Sequence, residues 1–199
     1  MTVLQENQNL FNWLSGIMYI YHLEKNVKKQ KEISITRELG QFDSITQAIR
    51  EAGYSYEYPI LISRIVEANK IVSNELQIPI ASPVYEYKKL RIVENRPRAI
   101  EHIFIDARNV EGIEKEDLRN QSLYEFLYAR FGLKVAKNEE EILVVRADEE
   151  ESELLKIEAN AEVMLIKGKS YMTKYKQPFE YFQITAIPGF FRYRSVNRK

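Results

Sequence analysis

Apolar and polar positions alternate most clearly in two stretches of this chain. From Val84 to Asp106, two runs rich in Val, Ile, Tyr and Phe flank a polar break at Glu94-Asn95-Arg96-Pro97, the pattern of paired strands around a turn. A similar pattern runs from Val163 to Thr185, with its break at Lys174 to Pro178. Strands are also expected at Ile60–Val66 and Glu141–Arg146, and a last edge strand at Gly189–Tyr193. Helical spacing places Ile45, Ala48, Ile49 and Ala52 on one face, opened by a capping box at Ser44–Gln47 and closed at Gly53. Asn69 caps a second helix carrying Ile71, Val72 and Leu76. Glu114–Arg119 reads as a short helical turn. A second capping box, Ser122–Glu125, opens a helix with Leu123, Phe126, Leu127 and Phe131 inward and Gly132 at its end. Glu149–Lys156 is a further helix.

The two halves echo each other. Without gaps, the stretch from Ile60 to Ile105 matches the chain 79 residues later at about nine positions, among them Ala68/Ala147, Leu76/Leu155, Val84/Val163 and Glu101/Glu180. A duplicated strand–helix–hairpin unit explains this, and two copies would form one antiparallel sheet. Chance likeness between two amphipathic segments is the competing explanation. The expected fold class is therefore α+β, an antiparallel sheet with flanking helices.

The opening segment differs in texture. A short helix is expected over Thr2–Leu14, a strand-like run over Ile17–His22, a basic stretch over Lys25–Lys31, and a linker over Glu32–Gln41. It is too short and too thinly apolar to hold a core alone.

Composition narrows the functional classes. The 199 residues are 45% hydrophobic and 29% charged, enough for a real core. Acidic and basic residues number 29 each, so any contact with DNA has to be local. No cysteine and only two histidines argue against disulfides, thiolate chemistry and a zinc site; no metal or other cofactor is expected. No apolar run reaches the roughly 18 residues of a membrane span, so no membrane partner is expected; the absence of cysteine fits a reducing cytoplasm, the expected location.

Several residues carry candidate chemistry. Lys89 and Arg91 alternate with Leu90, which puts both cations on one face of a strand, either as an anion clamp or on a solvated edge. Ser122 at a helix N-terminus presents backbone N–H groups to an anion, or only caps the helix. Glu101 and Glu180 hold equivalent repeat positions. They are candidate acceptors for ligand hydroxyls, a carboxylate pair for acid–base chemistry, or structural partners of nearby cations. Tyr124 stacks on a ligand or packs in the core. No Ser–His pairing, metal cluster or Gly-rich loop supports an enzyme, although a small enzyme on the same fold is the alternative function.

Order and spacing of several short motifs carry a family resemblance: Lys89-Leu90-Arg91, Pro97 to Glu101, Asp117-Leu118, Ser122-Leu123-Tyr124-Glu125, Leu155-Lys156-Ile157 and Gln177-Pro178-Phe179-Glu180-Tyr181. Over residues 42–199 the chain resembles the UTRA effector-binding domain of the HutC branch of GntR-type transcriptional regulators. Residues 1–41 resemble part of a winged helix-turn-helix and its linker, with Gly16-Ile17-Met18-Tyr19 leading toward the wing and no counterpart to the first two helices. The resemblance implies a chorismate-lyase-like fold, homodimers and a small-molecule effector, often a phosphorylated sugar. DNA is implied as a partner only with a complete winged helix, in this chain or supplied by a partner. The candidate effector contacts are Ser44, Lys89, Arg91, Glu101, Ser122, Tyr124 and Glu180. Lys89 stands where the family has Arg, and Ala186 and Gly189–Tyr193 depart from its pattern.

Overall fold

The computed structural model describes residues 33–39 and 44–195. The chain divides into two compact units, Met1–Ile33 and Ser34–Lys199. The helix expected over Thr2–Leu14, the strand over Ile17–His22 and the winged-helix likeness lie outside the described residues.

The elements of the second unit are β1 (Ile35–Glu38), α1 (Ile45–Glu51), β2 (Tyr56–Glu57), β3 (Ile60–Glu67), α2 (Lys70–Leu76), β4 (Pro83–Val93), β5 (Arg96–Asp106), α3 (Leu123–Phe131), β6 (Val135–Arg146), α4 (Glu149–Leu155), β7 (Glu162–Met172), β8 (Glu180–Ala186) and β9 (Phe191–Arg194). Single 3-10 turns, Ala107–Asn109 and Ile113–Lys115, follow β5. The second of these occupies the start of the turn expected at Glu114–Arg119.

Seven strands form one antiparallel sheet in the order β2-β4-β5-β8-β7-β6, with β3 also paired to β4. This is the expected α+β class, and the duplication is visible in it. β3-α2-β4-β5 and β6-α4-β7-β8 meet at the β5–β8 ladder, so the order reads the same from either end. The two helices begin 79 residues apart. Their caps match: Asn69 and Asp148 each accept from the third helical N–H, and Gln77 and Lys156 each close the helix at φ 55°. An N–H to C=O bond repeats behind each helix, Ile78 to Ser73 at 3.0 Å and Ile157 to Ser152 at 3.1 Å. Ala68, Leu76 and Val84 form one buried cluster, and Ala147, Leu155 and Val163 their counterpart on the same face of the sheet. Helices α2 and α4 thereby cover that face, each fully buried aliphatic side chain contributing roughly 1.5–3 kcal/mol.

The turn of the first hairpin is tighter than the break at Glu94–Pro97 implied. Glu94 and Asn95, at φ 51° and 59°, form a two-residue connection. Pro97 sits inside β5, where the register shifts between Arg91 and Ile92, and this irregularity accommodates a residue with no N–H to give.

Two expectations need correction. The stretch Glu32–Gln41, expected as a linker, contains β1, which pairs in parallel with β9. Its four residues are too few to show a period, and their partner lies some 156 positions away, so no local signal exists. The strand expected at Glu141–Arg146 starts six residues earlier, at Val135, because its first half is polar and faces the site described next.

Candidate functional site

The opposite face of the sheet carries the polar cluster, beneath α1 and α3. β4 presents Tyr85, Tyr87, Lys89 and Arg91 there, and β5 presents Glu101 directly opposite Lys89. Neither cation lies on a solvated edge, because β4 is flanked on both sides and Lys89 and Arg91 are only 1% and 3% exposed. Lys89 Nζ and Arg91 Nη2 converge on the same oxygen, Glu101 Oε2, at 3.0 and 2.6 Å. Arg91 Nη1 donates to Thr46 Oγ1 of α1 at 3.2 Å, while Arg91 Nε is buried without a hydrogen-bond partner. The Tyr58 ring lies 4.7 Å from the Arg91 guanidinium and 5.2 Å from Lys89 Nζ, a soft cation–π floor for both charges. Burial and the neighbouring Arg91 push the Lys89 ammonium down to about 8, against the pull of Glu101. Burial alone would raise the Glu101 carboxyl; Arg91 and Lys89 outweigh it and hold the group below its ordinary value.

A cavity of about 20 Å³ sits over this cluster. That is room for little more than one water. Its polar wall is Arg37, Ser44, Thr46, Lys89, Arg91, Glu101, Ser122, Tyr124, Asn138 and Glu140. A second cavity, of about 350 Å³, shares Ser44, Ser122 and Tyr124 with it. Where the two meet, the Ser44 and Ser122 hydroxyls lie 3.1 Å apart in a hydrogen bond.

Neither of the two expected capping boxes closes. Ser44 makes no side-chain cap to α1, and Gln47 donates to Glu51 instead. Ser122 does cap α3, accepting from the Glu125 N–H at 3.4 Å, but the Glu125 carboxylate turns away to Arg50. The box that closes is Asp148–Glu151, at the start of α4.

Six of the seven candidate residues, Ser44, Lys89, Arg91, Glu101, Ser122 and Tyr124, therefore line one cavity. Glu180 is fully buried and is not part of that wall. Tyr124 links it to the site by donating to Glu180 Oε2 at 2.7 Å, and Glu180 Oε1 has no hydrogen-bond partner. The two glutamates do not face each other. Glu101 pairs with Ile184 and Glu180 with Ile105, so they stand four residues apart along the β5–β8 ladder, about 13 Å between backbones.

Their environments diverge for a reason visible in the repeat. The positions that carry Lys89 and Arg91 on β4 are occupied by Gly168 and Ser170 on β7. Glu101 thus has two cations at hand, and Glu180 has a tyrosine and a serine. Burial pushes the Glu180 carboxyl up to about 7, against the Tyr124 and Ser170 hydroxyls and with the Glu101 charge adding to the rise.

Arg37, Asn138 and Glu140 complete the wall and escaped the sequence reading. Arg37 of β1 makes a two-point ion pair with Glu140 of β6, at 2.8 and 3.2 Å, and donates to the Tyr193 hydroxyl at 2.8 Å. Asn138 Nδ2 donates to Glu140 at 2.8 Å. No alternation marks them: Lys137 to Glu141 is polar throughout, and an acidic run such as Glu139–Glu141 reads as a solvated face, whereas Glu140 is largely buried against Arg37.

The sequence profile of the UTRA domain matches residues 51–187. The chain belongs to the UTRA domain family. Solved structures agree on the fold. The effector domain of PhnF from Mycobacterium smegmatis superposes with a TM-score of 0.74 at 18% identity, covering 83% of this chain and 100% of that one. A GntR family transcriptional regulator from Bacillus cereus gives 0.64 at 26% identity, over 72% of this chain and 99% of that one. The C-terminal domain of the histidine utilization repressor from Pseudomonas syringae pv. tomato gives 0.66 at 18%, over 73% and 100%. A UTRA domain has an effector-binding, regulatory role in GntR-family proteins. The matched stretch of this UTRA domain holds the cations and both glutamates; Arg37 and Ser44 precede it. Among the described residues, no helix is long and apolar enough to cross a membrane, and no group of His, Asp or Glu is arranged to hold a metal.

Glu180 makes the stability of the UTRA domain depend on pH. Its folded value lies above the ordinary 4.5, so the folded state keeps a proton that the unfolded chain has released. Stability therefore falls as pH rises from about 4.5 to 7, and the whole cost is present above that window. Lys89 acts oppositely, returning stability as pH climbs from about 8 toward 10.5. Glu180→Gln stays neutral throughout. Urea unfolding is expected to show the variant more stable than wild type near pH 7.5, with the Glu180 loss between about pH 4.5 and 7 removed; identical profiles would contradict this.

Proposed function

We propose that this domain is the sensing part of a transcriptional regulator, and that it binds a small anionic metabolite at Lys89 and Arg91. Binding changes the affinity of an attached DNA-binding segment. The observation that carries the reading is the pair of buried cations sharing one carboxylate oxygen beside a cavity. Two desolvated cations against one carboxylate leave a local positive excess, and an anion of matching shape offsets it. Ser122 adds its hydroxyl and the positive end of α3. Arg91 supplies a planar fork and Lys89 a point charge, a combination suited to phosphate or carboxylate oxygens. A sugar phosphate is one anion of this kind. The resemblance of the chain to GntR regulators supports the link to DNA and to a homodimeric state.

Thermal unfolding tests the anion site. At a concentration 100 times its dissociation constant, an anion stabilises by about 2.7 kcal/mol, a shift of roughly 5–10 °C for a domain this size. Arg91→Ala is expected to abolish the shift while far-UV circular dichroism stays native. An undiminished shift in that variant would remove Arg91 from the site.

A further inference from the structure

The two cavities differ in chemistry as well as in size. The inner one is walled by charge and holds about 20 Å³. A sugar ring has no room there. The outer one, at about 350 Å³, falls at the low end of the roughly 300–1,000 Å³ of pockets that enclose drug-sized ligands.

The outer wall is poorly suited to a polyhydroxylated body. Most of its polar side chains are engaged: Gln47 donates to Glu51, Glu125 is paired with Arg50, Ser44 with Ser122, and Tyr124 donates to Glu180. Apart from Lys134, which is exposed at the cavity, the remaining surface is apolar. Leu133 is buried, Val135 is half-buried, and the Tyr128 ring is 64% exposed on the same cavity. An aromatic side chain left uncovered by its own chain, beside aliphatic groups in a concave pocket, fits a flat apolar partner.

We propose that the effector is an amphiphilic anion: a compact phosphate or carboxylate head at Lys89 and Arg91, and an apolar, preferably aromatic, body lying on Tyr128, Leu133 and Val135. This rests on the anion reading above and extends it to the rest of the ligand. The Ser44–Ser122 hydrogen bond lies at the junction the ligand spans. Its opening admits the head to the inner cavity, whose present size takes no more than an oxygen or two of it.

Isothermal titration calorimetry with inorganic phosphate, glycerol 3-phosphate and phenyl phosphate tests the proposal, and acetate against phenylacetate repeats it with a carboxylate head. Phenyl phosphate is expected to bind roughly tenfold tighter than phosphate or glycerol 3-phosphate, since burying one aromatic ring supplies at least that much. Tyr128→Ala should erase the phenyl advantage and leave phosphate affinity unchanged; Arg130→Ala, an exposed change on α3 outside the cavity lining, should erase nothing. Equal affinity for glycerol 3-phosphate and phenyl phosphate, or a phenyl advantage that survives Tyr128→Ala, would overturn the apolar body and leave the anion site standing. No binding by any of the five compounds would overturn both.

Discussion

Glu101→Gln is expected to cost the fold about 3–5 kcal/mol, the range seen when one partner of a buried ion pair is removed. Among the described residues, Glu101 is the only carboxylate bonded to both Lys89 and Arg91, and a single oxygen serves both. Glutamine keeps the shape but presents no charge, so two cations, each exposed by no more than 3%, lose their counterion. The folded value of Glu101 is depressed, so its stabilisation is present above the unfolded value and lost as pH falls through the folded one. Wild type and variant should therefore converge below the ordinary glutamate value of 4.5. Near neutral pH they should differ most. Phosphate at millimolar concentration should restore part of the loss in the variant, because an external anion then stands in for the missing carboxylate. Chemical denaturation with and without phosphate reads both effects. A variant as stable as wild type, or one indifferent to phosphate, would show that the cations do not depend on a negative partner.

Gly168→Ala should be comparably damaging for a steric reason. A β-carbon at Gly168 would lie 2.0 Å from the backbone oxygen of Glu139 and 2.9 Å from the tip of the Phe182 ring. The ring can shift, but the carbonyl belongs to the β6–β7 ladder and moves only with the strand. Overpacking a well-filled site costs typically 1–3 kcal/mol, and a backbone obstacle puts this case at or above about 3. The unfolding midpoint should drop by roughly 6–12 °C. Since β6 carries Asn138 and Glu140, its displacement should also loosen Arg37, and amide exchange along β6 should quicken. An unchanged midpoint would contradict the close approach of β6 and β7.

Glycine at this position also says something about the site. Lys89 is its counterpart in the first repeat. One copy of the unit fills the position with a buried cation; the other leaves it empty so that Phe182 and β6 can close in. The duplication built a symmetric sheet, and the buried polar cluster lies where the two copies stopped matching. Glu101 and Glu180 illustrate this most directly, as equivalent carboxylates pushed in opposite directions by what stands opposite them.

Much of this was legible in the chain. The two hairpins, the matched helices α2 and α4 and the shared face of Lys89 and Arg91 all follow from periods of 2 and 3.6 residues, which are local. The meeting of Lys89 and Arg91 with Glu101 was within reach too, since all three lie in one hairpin. What stayed hidden depends on distance along the chain. Ser44 meets Ser122 across 78 positions, and Arg37 meets Glu140 across 103. Serines three residues before Gln or Glu read as caps, and nothing local says that they will bond each other. The first half of β6 was lost because its inward residues are Asn138 and Glu140: a strand that faces a polar site does not alternate in hydrophobicity.

Anomalous diffraction from crystals of the domain soaked in selenate, an oxyanion of phosphate's shape with a strong absorption edge, tests the anion site most directly. The expected result is a selenium peak at the inner cavity, within hydrogen-bonding reach of Arg91, Lys89 and Ser122, with the Ser44–Ser122 contact opened. A map with no peak there, or with selenate only at surface lysines, would contradict the assignment of these buried cations to an effector's anion.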